Sequence, residues 1–222
     1  MTKLARAAAL EKPRLRGVLH QFAAAAALGA GAVLVATTTN LRAAAAAGIY
    51  AASLVTLFTV SATYHVIQWA PPARAWMRRA DHASIFVLIA GTYTPIALLG
   101  LPAAEGATLL WQVWTGAVLG VLQSLFWVHA PKWVVAVLAV AVGWTLAPHF
   151  LTAFHALGAA TFLTLLAGGV AYTLGALAYA TKRPRLWPRT FGYHEVFHAL
   201  TLVGAALHFG AVIHVVRVAA GG

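Results

Sequence analysis

Cysteine is missing from this chain, which removes disulfides and thiolate-bound zinc together, so any metal must be held by imidazole or carboxylate. Charge is nearly as scarce. Only 9% of the 222 residues are Asp, Glu, Lys or Arg, against 62% hydrophobic residues, a composition that excludes a water-soluble globular domain. Acidic residues number just four, leaving a formal charge of +11. Such an excess would suit nucleic acid. The basic residues, however, fall in short segments between apolar runs, as the orientation signals of a membrane protein do, and no nucleic-acid partner is expected. Apolar character also recurs along the whole chain instead of sitting in one N-terminal segment, which argues against a secreted protein with a signal peptide.

What is present is a series of apolar runs of about 20 residues, the length needed to cross a bilayer, separated by Gly, Pro and charge. Seven spans result, roughly 18–37, 44–67, 83–99, 107–128, 133–150, 155–180 and 193–216. The Ala-rich first is the weakest. Of the fifteen Lys and Arg residues, only Arg42 and Arg217 fall on the side opposite the N-terminal tail, and cytoplasmic segments accumulate such residues. The expected fold is an all-α membrane protein, a seven-transmembrane helix bundle with the N-terminus cytoplasmic and the C-terminus outside. Residues 1–17 read as a basic cytoplasmic tail and 18–216 as the membrane domain. No internal repeat is obvious.

The four acidic residues divide into two kinds. Glu11 lies in the basic tail and Glu105 in an outer loop, as solvated surface charge does; Asp81 and Glu195 sit at span ends, where an ionisable group is costly unless it faces the bundle. Glu195 belongs to the pentapeptide His194-Glu195-Val196-Phe197-His198. Residues four apart on a helix lie about 40° from alignment and roughly 6 Å along the axis, so His194 and His198 present two imidazoles to one side. The second span ends Ser61-Ala62-Thr63-Tyr64-His65 and the third starts at Asp81-His82, placing all three span ends at one membrane depth. His65, Asp81, His194 and His198 could therefore share a pocket. Three imidazoles plus a water make the open tetrahedral arrangement of a catalytic zinc, with Asp81 placed to accept the water's proton and Ser61 to donate a hydrogen bond to the water or to a developing oxyanion.

Other readings compete. The pentapeptide matches the H-E-x-x-H signature of zinc metalloproteases, in which the Glu is general base. Those sites often take an acidic third ligand downstream, and after Glu195 the chain has none. His194 and His208 are suitably separated along one helix for two b-type haems, but these would need matching histidines on a second helix, where the second span offers only His65. His20, His129, His149, His155 and His214 have no partner at ligand spacing and read as packing or interfacial residues. His82 reads equally as a neighbour of the site or as a headgroup contact. His208 reads as a hydrogen-bonding residue within the bundle, too far along the axis to share the metal.

Ser61-x-x-x-His65, then Asp81-His82 with Gly91-Thr92-Tyr93-Thr94-Pro95, then Trp187-Pro188 followed by Phe191-Gly192-Tyr193-His194-Glu195-Val196-Phe197-His198 resemble the bacterial haemolysin III proteins. These belong with the progestin and adiponectin receptor (PAQR) family, in a wider superfamily that includes alkaline ceramidases. The likeness runs over about residues 50–215. It implies a seven-helix bundle with zinc bound by His65, His194 and His198 near the cytoplasmic face, Asp81 and Ser61 standing beside the water. The function expected is a zinc-dependent hydrolase of a lipid amide or ester, ceramidase-like, reached from the inner (plasma) membrane and serving membrane lipid homeostasis. Two other classes stay open: a non-catalytic regulator or sensor with structural zinc, and a haemolysin or channel-type cytolysin.

Overall fold

The computed structural model describes residues 13–187 and 189–221. Lys3, Arg6, Glu11 and Lys12 of the basic tail, and Pro188 of the Trp187-Pro188 motif, lie outside the described residues. Regular structure among the described residues is helical, apart from an isolated bridge between Trp187 and Phe191. The helices are α1 (Val18–Ala36), α2 (Leu41–Val66), α3 (Pro71–Pro95), α4 (Ala103–Phe126), α5 (Lys132–Gly143), α6 (Phe150–Leu157), α7 (Ala159–Thr181) and α8 (Tyr193–Ala219). A π-helical stretch, Ile96–Gly100, prolongs α3, while α5 and α6 form one broken crossing from Lys132 to Leu157. Among the described residues, seven helical segments are thus long and apolar enough to span a membrane.

Three boundaries differ from the hydropathy reading, each for a local reason. α3 begins at Pro71, well before residue 83, because Pro71 and Pro72 occupy its first turn, where a missing N–H costs nothing. Hydropathy marks the apolar slab, not the helix, and the turns bearing Arg74, Arg78 and Arg79 extend past it. The fifth crossing breaks after Gly143, ahead of Pro148, which cannot donate to a helical ladder. Tyr93 repairs the break: its hydroxyl donates to the Gly143 carbonyl at 2.6 Å and accepts from the Leu146 N–H at 3.4 Å. Freed backbone groups inside a membrane need such partners. Gly158, at φ 76°, then turns the chain into α7, which starts at Ala159 and not at 155.

Packing follows small residues. Gly91 on α3 lies against Ser53 on α2, and a Cβ at that position would collide with the serine hydroxyl. The two backbones can approach closely only because the side chain is absent. The contact holds the deeper halves of α2 and α3 together, and the short connection 67–70 keeps the end of α2 beside the start of α3. α8 packs along α7 and also meets α1, α2 and α3, so it closes the ring of helices around the interior. Tyr50, Phe86, Ile96 and Leu109 are fully buried there, whereas Leu28, Trp111 and Phe126 project outward as a lipid-facing surface would.

Candidate metal centre

His65 comes from the last turn of α2, and His194 and His198 from the first turns of α8. One ligand nitrogen from each lies within 4.8 Å of the others, and all three residues are buried. His194 Nε2 faces His65 Nε2 at 3.2 Å. Two imidazole nitrogens pointed at each other need a proton or a cation between them. Nitrogens bound to one small tetrahedral ion at about 2 Å stand roughly 3.3 Å apart, so the observed separation fits an ion as it stands. The His198 ring completes the group, with its centroid 4.6 Å from that of His194 and 5.0 Å from that of His65. The other ring nitrogen of His194, Nδ1, is buried and has no hydrogen-bond partner among the described residues. The three residues can hold a metal ion.

Asp81 and Ser61 surround the triad. The Asp81 carboxylate oxygen lies 3.8 Å from His65 Nε2, too long for a direct hydrogen bond and short enough for charge to be felt. Ser61 is buried, and its hydroxyl meets His20 Nδ1 at 2.9 Å. His20 is the residue that spacing did not place here. It comes from α1, and its ring stacks on His198 at 3.9 Å with planes 7° apart. Four-residue pairing searches one helix at a time and cannot see a partner on another. The available signal was simpler: an ionisable side chain within a span of Ala, Leu and Val usually faces the bundle.

Glu195 takes no part in the pocket. One carboxylate oxygen accepts from the Gly192 N–H at 2.8 Å, capping α8, and the other accepts from Arg16 Nε. Both oxygens are committed, so the base of a metalloprotease is lacking and the H-E-x-x-H match carries a cap and an ion pair instead. The pair also anchors the segment before α1, where the Arg14 and Leu15 N–H groups donate to the Arg189 and Thr190 carbonyls. Gly17 follows at φ 83°, and a Cβ there would meet His65 Cβ at 2.7 Å. The chain can therefore pass over the ligand only as glycine.

Beside the triad lies a cavity of about 370 Å³. His65, Asp81, Ser61, His194 and His198 line one end, and Tyr93, Trp144 and His208 the other. His82 is buried and also lines it. His208 meets the Leu165 carbonyl at 3.0 Å, so it hydrogen-bonds within the bundle. His129, His149, His155 and His214 stand outside the triad.

The family described as "Haemolysin-III related" matches residues 8–209. The chain is 31% identical over 165 residues to "Hemolysin-3" of Bacillus cereus, covering 74% of this chain and 72% of that protein. It is 30% identical over 165 residues to "Hemolysin-3 homolog" of Bacillus subtilis (strain 168), covering 74% of each.

Proposed function

The chain belongs to the haemolysin III-related family, part of the PAQR family, and from that premise we propose that it is a zinc-binding membrane hydrolase of lipid amides or esters. The observation that carries this reading is the convergence of three buried imidazoles from two helices, beside one carboxylate, at the end of a cavity large enough for part of a lipid. His65, His194 and His198 would hold the ion. When bound, zinc supplies a Lewis acid that acidifies water and polarises a carbonyl.

The remaining chemistry falls to the chain. Asp81 takes up the proton of the attacking water at its carboxylate and returns it to the leaving amine or alcohol as the C–N or C–O bond breaks. Ser61 orients that carboxylate or donates to the developing oxyanion, and His20 fixes the serine rotor from behind. The apolar helices around the cavity exclude bulk water, and a substrate arrives from the bilayer. The site then faces the cytoplasm across the inner membrane, with the N-terminus on the same side, and the turnover serves lipid homeostasis.

Purified protein should carry one zinc per chain by elemental analysis and release fatty acid from ceramide or phospholipid. Stoichiometric zinc with no Asp81-dependent product from either class would leave the second reading, a regulator with structural zinc. The 3.8 Å approach of Asp81 is to His65 Nε2, the nitrogen that faces His194, so the carboxylate stands where it could complete the coordination of an ion, and a closed site of that kind favours the structural reading. The printed name of the Bacillus cereus relative points to a third, lysis. Leakage from liposomes that survives loss of the histidines would favour it.

A further inference from the structure

Arg74, Arg78, Asp81, Ile85 and Ile89 all line the cavity. Their spacing of three and four residues keeps them on one face of α3, so that face reads in order as two guanidiniums, a carboxylate and aliphatic side chains. Lys132, at the start of α5, adds an ammonium to the same mouth. It is held there: Nζ donates to the Tyr193 hydroxyl at 2.7 Å and sits 4.6 and 4.8 Å from the ring centres of Tyr179 and Tyr193. Arg16 lines the mouth too, but Glu195 neutralises it. Three cations are left facing the single carboxylate of Asp81.

Orientation signalling does not account for this placement. Lys and Arg serve that purpose in any loop near the headgroups, as the exposed Arg183 and Arg185 do, and need not turn into a cavity. From the stripe on α3 and the pinned Lys132 we propose that the mouth binds a phosphate group, and that the occupant of the cavity is an anionic phospholipid, not an uncharged lipid amide. Guanidinium and ammonium groups together are the usual chemistry of phosphate recognition. At about 1.5 Å of rise per residue, Arg78 and Arg74 lie roughly 4.5 and 10 Å along the axis from Asp81. A glycerophospholipid has a matching layout, its acyl ester separated from the phosphate by the glycerol. An uncharged lipid would leave Arg74, Arg78 and Lys132 sharing one carboxylate, that of Asp81, with two of the three charges unbalanced. The proposal takes the lipid site from the hydrolase reading, but it concerns binding and needs no turnover.

The test uses the full chain in neutral detergent, equilibrated with phosphatidylglycerol, diacylglycerol or ceramide of matched acyl length, with bound lipid counted by native mass spectrometry. Phosphatidylglycerol should bind at least about tenfold tighter than either uncharged lipid. Arg78→Gln combined with Lys132→Gln should reduce that preference to less than about threefold, while Arg78→Lys keeps most of it and Arg185→Gln leaves it unchanged. Where the double variant fails to fold, the unaltered chain still decides, through its relative binding of the three lipids. Equal binding of the three lipids, or a preference that persists in the double variant, overturns the proposal. So does soluble glycerol phosphate competing as well as the phospholipid, which would make the ligand a free phosphate ester. A clear preference without hydrolysis defeats the hydrolase reading alone; hydrolysis of uncharged lipid without the preference defeats this one alone.

Discussion

Helix α8 carries two histidine stations, one buried at His194 and one partly buried at His208, and their difference shows when such a residue is a ligand. At His208 the ring nitrogen meets the Leu165 carbonyl, and Tyr172 packs against the ring at 5.4 Å. Its hydrogen bond is made by the bundle itself. At His194 the neighbour is another imidazole nitrogen, and the second ring nitrogen is buried with no partner. The backbone offers His208 an acceptor. At the other end of the helix three imidazoles each bring a nitrogen within 4.8 Å of the others, an arrangement that a cation can satisfy.

The largest expected effect lies on the metal side of that comparison. His198→Ala should lower metal affinity by more than about a hundredfold, so the purified variant carries well under one ion per chain. His208→Ala should leave metal content at one per chain. Equal metal loss in both variants would erase the distinction between the stations. Asp81→Asn comes next: metal is retained while lipid hydrolysis falls by about 10²- to 10⁴-fold, the range for loss of a general base. Unchanged turnover would remove Asp81 from the chemistry. Smaller still is the cost at the structural station, where His208→Ala removes the added hydrogen bond to the Leu165 carbonyl and the packing against Tyr172, and should destabilise the bundle by about 1–2 kcal/mol in mixed-micelle unfolding.

The seven crossings were legible because hydropathy reports directly on the slab that a helix must traverse. What it missed were the places where backbone and slab part company: the polar turns of α3 from Pro71, and the broken fifth crossing that Tyr93 repairs from another helix. The pairing of His194 with His198 was legible for an equally local reason, since helical periodicity puts them on one side. The nearness of His65 and Asp81 to that pair required the assumption of shared depth, and the structure brings them together. Glu195 was the misleading residue. Its position matched a catalytic signature, yet its two oxygens are taken by a helix cap and by Arg16, a residue 179 positions away that no motif contains.

His20 sharpens the comparison at its finest point, because it is a third kind of buried histidine, one that touches the metal centre without the geometry of a ligand. An imidazole binds an ion in the plane of its ring. Rings stacked 3.9 Å apart and 7° from parallel direct their lone pairs along parallel planes, so His20 would not aim a nitrogen at an ion that His198 holds. The role left to His20 is packing, with His198 on one side and the edge of Phe58 at 5.1 Å on another, plus the hydrogen bond from Nδ1 to Ser61. His20→Phe preserves the stacked face and deletes only the hydrogen bond. Metal should stay stoichiometric, with affinity changed by less than about tenfold, the lower end of what outer-sphere substitutions cost. Turnover should fall by a few-fold as Ser61 loses its tether, and His20→Ala, which also opens a void beside His198, should cost more in both measurements. A drop in metal affinity beyond about a hundredfold in His20→Phe would make His20 a fourth ligand, closing the coordination sphere and turning the site from a catalytic to a structural one.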